Sequence, residues 1–219
     1  MRRARYTRLS LERIFSIVDH GKPVLVGKPM KKVINKSVSL CLRPSPYGPV
    51  ALLWRVYEGV PQICRVVLSR PGRSAGEMVE ASFPRIVPAS CREIDNVAGR
   101  IEAFLNGDDI RFSLEGVSLD SCSAFQRRVL RAEYEIPRGF VSTYRRIAAH
   151  VGAPSGARAV GRALASNPFP VIIPCHRAIR TDGTLGGFQG GIAMKQALLE
   201  TEGIRFTQTG RVETEKVFY

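Results

Sequence analysis

The chain has no apolar run that approaches the ~20 residues a membrane-spanning helix needs. It is also short of acid. Asp and Glu number 19 against 33 Lys and Arg, which leaves a net charge of +14. There are three histidines, His20, His150 and His176, and five cysteines, Cys41, Cys64, Cys91, Cys122 and Cys175. The cysteines are scattered and odd in number. They form none of the paired short spacings of a structural zinc site, so no metal is expected. A disulfide framework is not expected either in a chain this long with a cytosolic character. Met1-Arg2-Arg3-Ala4-Arg5 carries the charge of a signal peptide, but the apolar core that should follow is missing. These absences point to an intracellular protein: cytoplasmic and held near the nucleoid, or nuclear in a eukaryote. The excess of positive charge asks for a polyanionic partner, nucleic acid ahead of a membrane surface. Hydrophobic content of 44% and charged content of 24% are those of an ordinary globular protein.

The first 45 residues read as a basic extension. Leu11, Ile14, Phe15 and Val18 have helical spacing, and Lys28, Lys31, Lys32 and Lys36 follow. Residues 46–117 read as a small α/β unit. Val50–Tyr57 and Ile63–Leu68 are β-rich runs joined by Glu58-Gly59-Val60-Pro61, which predicts a hairpin. Ser90 is placed to cap a helix carrying Ile94, Val97, Ile101, Phe104 and Leu105, and Ile110–Leu114 read as a further strand. No catalytic constellation is visible in this half.

Beyond Gly116 helical patterns take over, so a boundary is expected near residue 117, with a second unit at 118–205 and a tail at 206–219. Ser123 can cap a helix from Ala124 to about Tyr134. Thr143 can cap a second that carries Tyr144, Ile147, Ala148 and Val151. Gly152–Gly156 is a tight connection to a third, Ala157–Ala165. The last two predict a helix-turn-helix. The third helix is built of small residues, with Arg158 and Arg162 one turn apart, and such a smooth face can come close to nucleic acid.

The apolar run Val171-Ile172-Ile173 then stops at Pro174 and is followed at once by Cys175, His176 and Arg177. Proline fixes its own φ and pushes the preceding residue towards extended backbone, so the thiol sits on a stiff support beside a base and a cation. Nearby positive charge favours the thiolate, which is the reactive form. The competing reading is a buried structural cysteine. After it comes a glycine-rich loop, Gly183–Gly191, whose Phe188 can stack on a flat ligand. A final helix runs from Ile192 to about Glu202, and Gly203 caps it.

Taken together, residues 124–203 resemble the C-terminal domain of the O6-alkylguanine-DNA alkyltransferases, the methylated-DNA–protein-cysteine methyltransferases. The resemblance is carried by Phe125-Gln126, Ile136-Pro137-Arg138-Gly139, Ser142-Thr143-Tyr144 and Ala157-Arg158-Ala159-Val160-Gly161. It continues through Asn167-Pro168, Pro174-Cys175-His176-Arg177 and the glycine loop with Lys195, Leu198-Leu199 and Glu202-Gly203. It implies an α/β first domain of ribonuclease-H-like fold and a mainly helical, winged-helix-like second domain. It implies direct reversal of DNA damage: an alkyl group leaves O6 of guanine, with O4 of thymine a second candidate, and ends on Cys175. His176, through a water, and Glu202 would activate the thiol. Asn167 would brace the turn between recognition helix and active-site strand. Tyr144 would donate to the leaving guanine. Arg158 would replace the flipped base in the stack, and Arg145, Ala153, Ala157, Gly161 and Thr181 would lie against DNA. Phe188, Gln189 and Gly190 would wall the base pocket. The implied partner is double-stranded DNA containing O6-alkylguanine, bound by a monomer without a cofactor.

The alkyl carbon lies inside the duplex, so the base must be extruded, at a cost of a few kcal/mol of unstacking that an inserted side chain partly offsets. Attack by sulfur gives a thioether with no ready leaving group, so one turnover per chain is expected. Three positions depart from the family pattern: Phe188 for a common tyrosine, Gln189 for a small residue, and Phe140 where an acid is frequent. The alternatives are a non-catalytic damage-binding relative, which the presence of Cys175 opposes, a helix-turn-helix regulator, and a Cys–His hydrolase, for which no oxyanion hole is visible.

Overall fold

The computed structural model describes residues 38–219. The helix expected around Leu11–Val18, and the basic extension as far as residue 37, lie outside the described residues.

The run Val50–Trp54 is apolar and buried at every position, as a strand covered on both faces requires, and it forms the middle of a sheet. Strands β1 (Ser39–Arg43), β2 (Val50–Tyr57), β3 (Val60–Leu68) and β4 (Val87–Pro88) take the order β3-β2-β1-β4. All pairs are antiparallel except β1 with β4. The β2–β3 hairpin turns at Glu58 and Gly59, both at positive φ. That conformation matches the right-handed twist of the strands it joins. Cys64 falls at an irregularity in the ladder, where Leu53 pairs with Arg65 and Trp54 with Ile63. Ala51 and Leu53 point to one face, where they meet Ala75 and Val79 of helix α1 (Ala75–Ser82). Val50, Leu52 and Trp54 point to the other and join Ile94, Ala98 and Ile101 of helix α2 (Arg92–Leu105). Their apolar cluster continues without a break to Val129, Phe169, Ile173 and Cys175.

Two expectations for this half need correction. Helix α2 has Cys91, not Ser90, at its N-cap, with no side-chain cap. Ser90 Oγ bonds Asp95 Oδ1 instead, at 2.8 Å. Residues 110–114 are not a strand. Side chains satisfy that stretch: Tyr134 donates to the Phe112 carbonyl at 2.5 Å and Arg100 to that of Arg111 at 2.7 Å. Phe112 buries its ring against Phe104 at 5.8 Å.

In the second half, Ser123 and Thr143 cap helices α3 (Ala124–Glu135) and α4 (Tyr144–His150) through the amides of Gln126 and Arg146, as the sequence predicts. Helix α5 (Ala157–Ala165) follows and packs on both. Helix α6 (Ile192–Thr201) ends in a full Schellman motif. Gly203 at φ +83 donates to Glu200 O, and Ile204 donates to Leu199 O, both at 2.9 Å. The tail forms a short ribbon of β7 (Arg205–Phe206) and β8 (Val212–Glu213). It then straps back, Val217 bridging to Val141 just before β5 (Ser142–Thr143), which pairs with β6 (Ala178–Ile179). Phe140 meets Phe218 at 6.4 Å and Lys216 at 6.0 Å, so the tail supplies the partner for this family departure. Tyr219 stacks on His150 with ring centroids 3.7 Å apart.

Candidate active site

The run Val171–Ile173 is buried, as its composition demands, but it is not the expected active-site strand. Pro170 and Ile173 close a tight turn on each other, and Val171 takes φ +75. A β-branched residue there is strained, so the surroundings must hold it. Asn167 does so from both sides of its amide. Its Nδ2 donates to Ile173 O at 3.0 Å, and its Oδ1 accepts from Phe169 N at 2.9 Å. The turn delivers Cys175 to the start of a single 3₁₀ turn, Cys175–Arg177.

Cys175 is 5% exposed and lies at the wall of a cavity of about 220 Å³. Tyr144, Gly161, Leu164, Ala165, Arg180, Gly186, Gly187, Phe188 and Gln189 complete the lining. Phe188 and Gln189, expected from the sequence to wall a base pocket, are both on this lining. Gly190 is buried behind them against Met194 and Phe188. Gly186 must be glycine, because a Cβ there would collide with the Tyr144 hydroxyl. Gln189 turns its amide to the Asn167 carbonyl, which ties the glycine loop to the turn.

Behind the thiol runs a buried polar chain. His176 is fully buried, and its Nε2 lies 2.9 Å from Glu202 Oε1. Arg177 holds the same carboxylate in a fork, Nε to Oε2 at 2.9 Å and Nη2 to Oε1 at 2.7 Å. Its Nη1 donates to the Ile136 carbonyl at 2.6 Å. Burial opposes the charge on Glu202, but His176 and Arg177 outweigh it and hold the carboxyl at about 2. Burial pulls His176 below its usual range despite Glu202, so the ring is neutral at neutral pH. A carboxylate at Nε2 keeps the proton on that nitrogen. Nδ1 is then an unprotonated acceptor, buried and without a protein partner among the described residues.

The thiol itself is not primed. Burial pushes its pKa up to about 12, although the Asn167 side chain and Lys195 favour the thiolate. The cation next to it in sequence, Arg177, is committed to Glu202 and does not serve the sulfur. The resting form is therefore the thiol, and an ionisation step must precede attack. Tyr144 is pushed up to about 12 by burial, with Glu133 and Cys175 adding to it. Its hydroxyl is a donor at neutral pH.

Sequence reasoning misses four members of this site. Arg177 and Lys195 stand in recognised motifs without a role. Arg180 lines the cavity, and Glu133 is buried beside it all with no pattern to mark it. Their partners are distant in sequence, and only the fold brings them together.

The expected DNA-facing residues lie on the helix-turn-helix side. Arg145 and Thr181 are exposed and share a second cavity of about 470 Å³ with Thr143, Arg146, Ala149 and Val217. Arg158 is exposed on α5, while Ala153 and Ala157 are half-buried in and after the turn. Gly161 instead faces the thiol cavity. Among the described residues no group of His, Cys, Asp and Glu could hold a metal ion, and no helix is long and apolar enough to cross a membrane.

A helix-turn-helix pair set against a buried, histidine-flanked cysteine defines a protein that holds a thiol at a cavity beside two short helices. Residues 124–204 match the 6-O-methylguanine DNA methyltransferase, DNA binding domain. The methylated-DNA–protein-cysteine methyltransferase of Methanothermobacter thermautotrophicus is 44% identical over 111 residues, 51% of this chain and 62% of its own length. That of Mycobacterium leprae is 44% identical over 104 residues, 47% of this chain and 61% of its own length. These alignments thus span about three-fifths of the curated relatives. The crystal structure of Mycobacterium tuberculosis O6-methylguanine methyltransferase is 33% identical with a TM-score of 0.61, covering 75% of this chain and 92% of that one. The chain belongs to the O6-methylguanine DNA methyltransferase family.

Proposed function

We propose that this protein repairs O6-alkylguanine in double-stranded DNA by moving the alkyl group to Cys175, once per chain. The observation that carries the reading is the position of Cys175 at a cavity wall, with a neutral His176 whose free Nδ1 is backed by Glu202 and Arg177. This is the nucleophile, base and orienter set that cysteine catalysis needs. Known relatives named for the same transfer support it, as does a Mycobacterium tuberculosis homologue 32% identical and solved in complex with DNA.

In the proposed step the Cys175 thiol gives its proton to His176 Nδ1 through a bridging water. The sulfur forms a bond to the alkyl carbon as the bond from that carbon to O6 breaks, and the electron pair stays on guanine. Tyr144 donates a proton as charge develops on the base. His176 then gives up the proton it took and Tyr144 recovers one, both through solvent, so that net the thiol's proton ends on guanine. Arg158 fills the stack while the base is extruded, at a cost of a few kcal/mol that this insertion partly offsets. Arg145, Ala153, Ala157 and Thr181 lie against DNA, and Phe188 and Gln189 wall the base.

The same reading takes residues 46–117 as a ribonuclease-H-like unit and 118–205 as a winged-helix-like one. It takes the protein as a monomer working at the nucleoid or in the nucleus. The test is uptake of label from O6-[methyl]guanine DNA. Wild type is expected to be labelled and Cys175→Ala to stay unlabelled. No uptake by wild type, or equal uptake by the variant, removes the proposal.

A further inference from the structure

Glu133 lies near the end of α3 and is fully buried, and neither carboxyl oxygen has a hydrogen-bond partner among the described residues. A buried acid without partners is costly and asks for a reason. The titratable and charged groups within electrostatic range of it come from four elements. They are Lys195 from α6, Arg177 and Cys175 from the 3₁₀ turn, Tyr144 from the head of α4 and Tyr219 from the tail.

Two of these groups are cations, and they are not equivalent. Arg177 is already matched by Glu202. Lys195 is fully buried and anchored by one neutral acceptor, Ala178 O, at 2.6 Å. Its Nζ stands 6.0 Å from the centroid of the Tyr144 ring. The Ala178 amide, on the other side of the same residue, comes near the Glu133 carboxyl without hydrogen-bond geometry and favours its charged form. Acid and base thus lie on either side of one buried residue, Ala178, with the thiol and the tyrosine within electrostatic range of both.

We propose that Glu133 is a positioning residue that sets the positive charge Lys195 delivers to Cys175 and Tyr144, so that ionisation of the carboxyl opposes ionisation of the thiol. Burial pushes Glu133 up to about 8 and pulls Lys195 down to about 8. Below that pH the carboxyl is neutral and Lys195 acts on the thiol alone. Above it the carboxylate forms while Lys195 gives up its proton, so the charge facing the thiol turns unfavourable just where rising pH would otherwise make thiolate more abundant. The consequence for repair rests on the alkyl-transfer reading; the effect on the thiol does not.

The experiment follows alkylation of Cys175 by iodoacetamide, mapped by peptide mass, below and above pH 8 in wild type, Glu133→Gln and Glu133→Leu. In that reaction the Cys175 S–H proton goes to solvent, an S–C bond forms and iodide leaves. Titration of His176 and of the thiol itself cancels in the ratio of variant to wild-type rates. The ratio is expected to be level below pH 8 and to grow by roughly fivefold above it, for a charge interaction of ordinary strength. Glu133→Leu removes the buried polar group and serves if the amide variant folds poorly. Methyl transfer from O6-methylguanine DNA is followed in parallel and should diverge the same way. A ratio that does not change with pH, while DNA transfer proceeds, overturns the role of Glu133. A diverging ratio with no DNA transfer by any of the three proteins leaves that role standing and sinks the repair reading.

Discussion

Glu202 is the residue on which the thiol's surroundings depend most. Its carboxylate is the shared acceptor of His176 and Arg177, and it is nearly excluded from solvent. Glu202→Gln keeps the shape but leaves Arg177 as an uncompensated buried charge, which costs about 3–5 kcal/mol when one partner of such a pair is removed. It also frees His176 to adopt the other tautomer. Methyl transfer should fall by about 10²-fold or more, the usual contribution of an oriented base. Single-turnover kinetics and urea unfolding of the same preparation measure both losses. The pH dependence has a definite sign. The folded carboxyl sits at about 2, below its ordinary 4.5. It therefore contributes stability that is present above about pH 4.5 and is lost as pH falls towards 2. Wild type should lose on the order of 3 kcal/mol over that window beyond what Glu202→Gln loses. Equal acid sensitivity in the two proteins would mean that the carboxylate is not held as described.

At the scale of elements, the helices of the second half are legible because their signals are local. Ser123 and Thr143 each cap the helix that follows, and the third helix begins and ends at Ala157 and Ala165 as its pattern predicts. Gly203 closes α6 because only a residue tolerant of positive φ fits there. The misreadings come from non-local forces. Ile110–Leu114 has a strand's composition, but Arg100 and Tyr134 take its carbonyls and no neighbouring strand is offered. The run before Cys175 has the composition of a buried strand, and Asn167 folds it into a turn that propensity alone disfavours at Val171. Helix α1 goes unread although Ser74 and Glu77 form a capping box, because its eight residues carry only two buried side chains. The candidate site follows the same rule. Cys175, His176, Glu202 and Asn167 are readable from a motif, while the Glu133–Lys195 pairing is a product of packing between α3 and α6. The element whose role is most open to trial is α5. Arg158 is exposed on it, and Gly161 and Leu164 face the thiol cavity. Arg158→Ala should slow repair of duplex DNA at least tenfold more than reaction with free O6-methylguanine, a difference of about 1.4 kcal/mol or more. The ratio of the two single-turnover rates is the readout, and equal loss on both substrates would remove the flipping role.

For the whole molecule, the net charge of +14 matters more than any one contact. Arg145, Arg146 and Arg158 are exposed on the helix-turn-helix, and phosphate neutralisation by such residues releases counterions. Duplex affinity should fall with salt along a log–log slope of about −0.9 for each phosphate contacted. A binding titration over a range of salt concentrations gives that slope, and a flat line would exclude an electrostatic DNA face. The continuous core has a second consequence at this scale. The Phe104 ring of the sheet-packed helix α2 lies 5.9 Å from the His176 ring, so the first half supports the wall behind that histidine. The most direct trial of alkyl transfer to Cys175 is intact-mass spectrometry with peptide mapping after exposure to excess O6-methylguanine DNA. One added CH₂ per chain, confined to the peptide bearing Cys175 and unchanged by more substrate, is the expected result. Methyl on another residue, continued turnover, or an unmodified chain beside demethylated DNA would contradict it.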